Sequence, residues 1–193
     1  MCRRAREIIA SLEWCRTRED LIDALSVLLL IRDLGPIGRP SISRILGLGD
    51  KRTRNILLKL REASLLGTSR AGAFLSNSAN RLLNGVYCSR KGDYTIAGVA
   101  CNIEDPELVS RNIMTLRDSI VIALSDPGSL EVIGWFNGDK LALPRVSEEL
   151  AKGYQELVKD SVVCSNGCLV TLFRSEGICY RCCASLVHVA SIL

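Results

Sequence analysis

The chain has 193 residues, 48% hydrophobic but only 5% aromatic, and a formal net charge of +4. That is enough for one large domain or two small ones with a real aliphatic core, which excludes a disordered chain. No apolar run approaches the ~20 residues of a membrane helix, and no apolar segment of signal length follows the basic start Met1-Cys2-Arg3-Arg4-Ala5-Arg6, so a soluble, cytoplasmic protein with no membrane partner is expected.

In chain order, residues 1–20 read as an N-terminal helical extension, with a helix over 5–15 carrying Ile8, Ile9, Leu12 and Trp14. Residues 21–34 have apolar positions at 21, 22, 25, 28, 29 and 31, the pattern of a helix buried on a wide face, stopped by Gly35-Pro36. A short helix over 40–46 follows, then the turn Gly47-Leu48-Gly49. A third helix runs from Asp50, a good cap residue, to about Ser64. Helix, short helix, turn and longer helix make a helix-turn-helix. Residues 65–68 and 73–76 then read as two short strands around the turn Ser69-Arg70-Ala71-Gly72, with Ser78 capping a short helix to about Leu83. A hairpin directly after the third helix is the wing of a winged helix-turn-helix.

Charge is unevenly placed. Residues 1–91 hold 17 Lys and Arg against 8 Asp and Glu, whereas residues 92–193 hold 8 against 13. A basic half suits a polyanion, because each cation set on a phosphate releases counterions. Burying Thr53, Ile56, Leu57 and Leu60 is expected to turn Lys51, Arg52, Asn55 and Lys59 outward, with Arg54 at the edge of that face. Arg and Asn near the start of such a helix read guanine and adenine edges in the major groove, and Arg70 at the wing tip reaches backbone phosphate or the minor groove. The expected partner is double-stranded DNA. A basic, solvated helix in a module that binds protein is the alternative.

The stretch "GPIGRPSISRILGLGDKRTRNILLKLREASLLGTSRAGAFLS" resembles winged-helix domains of archaeal transcriptional regulators. The stretch "LRDSIVIALSDPGSLEVIGWFNGDKLALPRVSEELAKGYQELVKD" resembles the second half of an archaeal family that joins such a winged helix to a small α/β domain of unknown function. The resemblance runs from about residue 21 onward; Leu116-Arg117-Asp118, the hairpin and Pro144 are its more specific parts. The cysteine-rich end departs from the acidic, Ala-rich end of that family.

In the second half, residues 94–102 suggest a strand and Asp105-Pro106 opens a helix over about 107–115. Residues 117–124 are ambiguous: Ile120, Val121 and Ile122 favour a strand, while the resemblance implies continued helix. Asp126-Pro127-Gly128 is a turn. Residues 130–136 and 140–143 flank Asn137-Gly138, a strong hairpin signal. Ser147 starts an amphipathic helix through Lys159, residues 160–164 form a short strand, and residues 180–192 form a final helix. Alternating strands and helices describe a small α/β or α+β domain. The expected organisation is an extension over 1–20, a winged helix-turn-helix DNA-binding domain over 21–88, and a C-terminal α/β domain over 89–193 for sensing or dimerisation.

No P-loop and no G-x-G-x-x-G occurs, and Gly67 to Gly72 is one residue too long for a nucleophile elbow, so an enzyme is not expected. The single His188 lies among Leu186, Val187, Val189 and Ala190, as a packed core residue does. Arg117 and Asp118 read as a buried ion pair or as contacts to an anionic effector. Nine cysteines with uneven spacing do not look like a secreted disulfide framework, and in a cytosol they are thiols, hyperthermophilic archaea excepted. Cys164, Cys168, Cys179 and Cys182 supply four thiolates that suit zinc, but the first pair lacks two-residue spacing. No cofactor is therefore expected, with a structural zinc as the alternative. A homodimer is expected from three apolar segments: the N-terminal helix, the helix over 21–34 and the uncharged end 186–193. The functional expectation is a DNA-binding transcriptional regulator with a small-molecule effector. The alternatives are an enzyme or small-molecule-binding protein with an accessory winged helix, or a protein–protein interaction module.

Overall fold

The computed structural model describes residues 2–126 and 128–193. Met1 and Pro127, the latter in the expected Asp126-Pro127-Gly128 turn, lie outside the described residues. The described residues form a mixed α+β protein with eight helices and two antiparallel sheets. They divide into two compact units, one Glu7–Asn84 and the other the residues up to Arg6 together with Gly85–Leu193. The expected extension over 1–20 is thus shared between the units at Arg6. The expected boundary after residue 88 falls inside a strand, since β3 runs Val86–Lys91.

Helix α1 (Arg3–Ala10) is shorter than the expected span over 5–15. Helix α2 (Arg18–Leu34) begins at the cap residue Thr17, whose side chain accepts from the amide of Asp20. Glu19 and Asp20 in its first turn face the positive end of the helix dipole. All of Leu21–Ile31 is buried, so that stretch of one of the three apolar segments behind the expected homodimer is already covered. Helix α3 (Arg39–Leu46) ends at Gly47 in the left-handed conformation, and α4 (Asp50–Glu62) is capped by Gly49, with Asp50 its first residue rather than its cap. Strands β1 (Leu66–Ser69) and β2 (Gly72–Leu75) pair antiparallel, and Ile37 adds an isolated bridge to Ala73. Helix α5 (Asn77–Leu82) is capped by Ser76, not Ser78, whose hydroxyl instead donates to the carbonyl of Ser64. Helix α2 packs against α3, α4 and β2, and α3 packs against α4.

The second unit is built on one five-stranded sheet in the order β3-β4-β7-β5-β6, with β4 (Tyr94–Ala100), β5 (Leu130–Phe136), β6 (Leu141–Ala142) and β7 (Cys168–Arg174). Every ladder is antiparallel, so the domain is α+β and not α/β. The central strand β7 was not expected. Its first six residues are all buried, because both faces are covered, and an apolar run without alternation carries no strand period. Residues 160–164, expected as a strand, are irregular; Val162 and Cys164 fill the core beside Val170 and Leu172. Helix α6 (Glu107–Leu124) resolves the ambiguity over 117–124 as helix. Alternate residues of β7 pack under α7 (Glu148–Lys159), while α6 and α8 (Tyr180–Ala190) pack on one another against the other face of the sheet.

The expectation of free thiols is corrected. Disulfides join Cys2 to Cys101, Cys88 to Cys183, Cys164 to Cys168 and Cys179 to Cys182, and Cys15 is free. The first two close chain segments of 99 and 95 residues, and the docking of α8 on β3 brings Cys183 to Cys88.

Candidate nucleic-acid interface

Helix α4 carries the candidate surface. Thr53, Ile56, Leu57 and Leu60 are buried, and Lys51, Arg54, Asn55 and Lys59 are exposed on the opposite side. Lys51 lies in the first turn, where the helix presents its positive end to an anion, and Arg54 and Asn55 begin the second. Lys51, Asn55 and Lys59 line a shallow groove with Trp14 and Arg16. On the other flank Arg39, Arg54 and Arg61 line a cleft of about 310 Å³ between α4 and the β1–β2 hairpin. Among the described residues Lys51, Arg54 and Arg70 meet no carboxylate. Lys59 pairs with Glu62 at 2.9 Å, an exposed i,i+3 contact that a phosphate can displace.

Arg52 departs from expectation. It is only half-exposed and reaches toward α2: its Nε lies 2.5 Å from the Asp23 carboxylate, and its Nη2 lies 3.4 Å from Asp20 and 3.6 Å from Glu19. Asp23 is 1% exposed, so burial favours a fixed guanidinium partner over water. Arg52 is at 100° steps the edge residue beside buried Ile56, close enough to α2 for its fork to reach inward. It bridges α2 and α4 while still lining the groove beside Lys51, Asn55 and Lys59.

The same acids act on Cys15. Burial, then the charges of Asp20 and Asp23, push its thiol up to about 12, so it is protonated at neutral pH.

Arg70 is exposed in the turn between β1 and β2. Ser69 braces that turn: its hydroxyl donates to the carbonyl of Gly72 and accepts from the amide of Ala71. Gly72 has φ +133° and sits against the backbone of Ile37 and Gly38, where a Cβ has no room. That close approach holds the hairpin against the segment before α3.

Sequence reasoning missed Arg61, Arg39, Arg16 and Trp14. Arg61 lies seven residues after Arg54 and was within reach of helical periodicity. Arg39 was not, because its place depends on α3 packing; it pairs with Asp50 at 2.9 Å.

The other candidates separate. Arg117 and Asp118 are both exposed on α6, and among the described residues no ion pair joins them. Arg117 lines a cleft and Asp118 does not. Cys164 and Cys168 lie at one end of β7, and Cys179 and Cys182 lie beyond the other. Seven residues of strand span about 20 Å, so the four sulfurs do not converge on one metal. Among the described residues no group of three or more His, Cys, Asp or Glu is placed to hold a metal ion. His188 is partly buried in α8. Among the described residues no helix is long and apolar enough to cross a membrane.

No family model matches the chain, and no curated protein matches it. Among solved structures it is similar to the hypothetical protein PH0730 from Pyrococcus horikoshii OT3, with a TM-score of 0.62 and 24% identity over 90% of this chain and 91% of that one. At that identity the likeness speaks for the fold alone.

Proposed function

We propose that Glu7–Asn84 is a winged helix-turn-helix that binds double-stranded DNA, and that the chain is a transcriptional regulator of the archaeal kind it resembles. One observation carries this reading: Lys51, Arg54 and Asn55 share the exposed face of α4, and Arg70 stands at the tip of the hairpin that follows it. Exposed Arg and Asn side chains near a helix start are the groups that read base edges, and a hairpin cation suits the adjacent backbone. Arg39 and Arg61 extend the basic surface along the hairpin side. Pairing of two copies, to set two such helices about one DNA turn apart, belongs to the same proposal. It needs a surface other than α2.

A protein partner is the second reading. Leu58 on α4 and Phe74 on β2 are 47% and 41% exposed, more apolar surface than phosphate contact requires. Titration of the full chain with a duplex, followed by backbone amide NMR, separates the two. The DNA reading predicts shifts at 51–59 and 69–72; a duplex that leaves these amides unmoved refutes it.

A further inference from the structure

The geometry points to a second site, on the C-terminal unit, for a small carboxylate with an apolar body. A cleft of about 200 Å³ opens between α6, β5 and the turn that joins β6 to α7. Ile113, Val132, Ile133 and Pro144 give it apolar walls. Two cations reach it from different walls, Arg117 from α6 and Arg145 from the turn.

Neither guanidinium has an acid to compensate it. Among the described residues Arg117 and Arg145 form no ion pair, and Arg145 donates only to the sulfur of Met114, at 3.8 Å. A single carboxylate, Glu131, also lines the cleft, and it is already engaged. Arg174 Nε and Nη2 lie 2.8 and 3.2 Å from its two oxygens, and the Tyr154 hydroxyl donates to it at 2.8 Å. The cleft therefore keeps a positive excess beside an apolar wall, which is the combination that binds an organic anion by charge-assisted hydrogen bonds and burial.

The backbone at Arg145 adds an independent sign. Its φ is +63°, in the left-handed region where glycine or asparagine is the ordinary residue. Arginine held there aims a guanidinium where a relaxed turn residue would place nothing, and unfavourable backbone kept at a cleft is characteristic of ligand sites.

The test uses the full chain and three probes: sodium benzoate, its neutral isostere benzamide, and inorganic phosphate. Benzoate is expected to shift the amides of 113–117, 130–133 and 144–146 saturably and to bind about tenfold or more tightly than benzamide. Arg117→Gln and Arg145→Gly are each expected to weaken benzoate about tenfold. Glycine accepts the observed φ, so an otherwise unchanged spectrum shows that Arg145→Gly folds. The assignment is overturned if benzamide binds as well as benzoate, or if both variants bind benzoate like the parent chain. It is equally overturned by no saturable shift up to about 20 mM. Phosphate binding as tight as benzoate would show a bare anion site and overturn the apolar half of the assignment.

Discussion

Arg52→Ala should loosen the helical unit rather than erase one base contact. The substitution leaves Asp23, 1% exposed, without the guanidinium 2.5 Å from its carboxylate. Removing one partner of a buried pair costs about 3–5 kcal/mol. The Arg52 side chain is 38% exposed, so water screens part of the interaction and about 2–3 kcal/mol is expected. Amide hydrogen exchange of Leu25–Ile31 and of the buried positions of α4 reads this directly. Opening by 2–3 kcal/mol corresponds to exchange ~30–150-fold faster. Asp23→Asn should cost less, because Arg52 keeps Asp20 and Glu19 within 3.4 and 3.6 Å and retains access to water. The asymmetry is the signature of a buried acid held by a half-exposed base. Exchange within threefold of the parent chain in Arg52→Ala, or a larger effect in Asp23→Asn, would refute the clamp.

Arg54→Ala and Asn55→Ala should behave oppositely: each weakens a cognate duplex by ~1–3 kcal/mol with stability changed by less than about 0.5 kcal/mol, read by anisotropy and urea unfolding. Replacing Cys88 and Cys183 by serine opens a 95-residue loop and should destabilise the C-terminal unit by about 4–5 kcal/mol in the chain-entropy picture, measured by chemical unfolding; no loss would mean the bond is absent in solution. Hydrogen bonds from Arg174 and then Tyr154 hold the Glu131 carboxyl below its ordinary 4.5. Because the folded value is depressed, the stabilisation is present above the ordinary value and is lost as pH falls through the folded one. Glu131→Gln should therefore be less stable than the parent chain at neutral pH, with the gap closing below about pH 4.5 in thermal unfolding; a gap independent of pH contradicts the pairing.

Helices α2, α3 and α4 were legible because their apolar spacing is helical and Gly35-Pro36 and Gly47-Leu48-Gly49 mark their ends. Strand β7 was not, since Cys168–Arg174 is apolar on both faces and its flanking cysteines drew attention as metal ligands instead. The disulfides of Cys2 and Cys88 join residues nearly a hundred positions away, a relation that local pattern does not contain. At the candidate site, periodicity located Lys51, Arg54, Asn55 and Lys59 on the exposed face of α4. It did not show that Arg52 also reaches α2, because the acids it meets sit there some thirty residues earlier. Asp23 itself is a charged residue inside an apolar stripe, and a buried charge implies a partner; that was the available signal.

The central claim, that the basic face of α4 and its hairpin hold duplex DNA, is tested most directly by the salt dependence of binding. A labelled duplex of random sequence is titrated with the full chain between about 50 and 300 mM salt. Five cations of that surface, Lys51, Arg54, Lys59, Arg61 and Arg70, predict that log K falls with log salt at a slope of roughly −4 to −5. Arg70→Ala should reduce the magnitude of that slope by about one. Absence of binding at the lowest salt, or a slope near zero, contradicts the account.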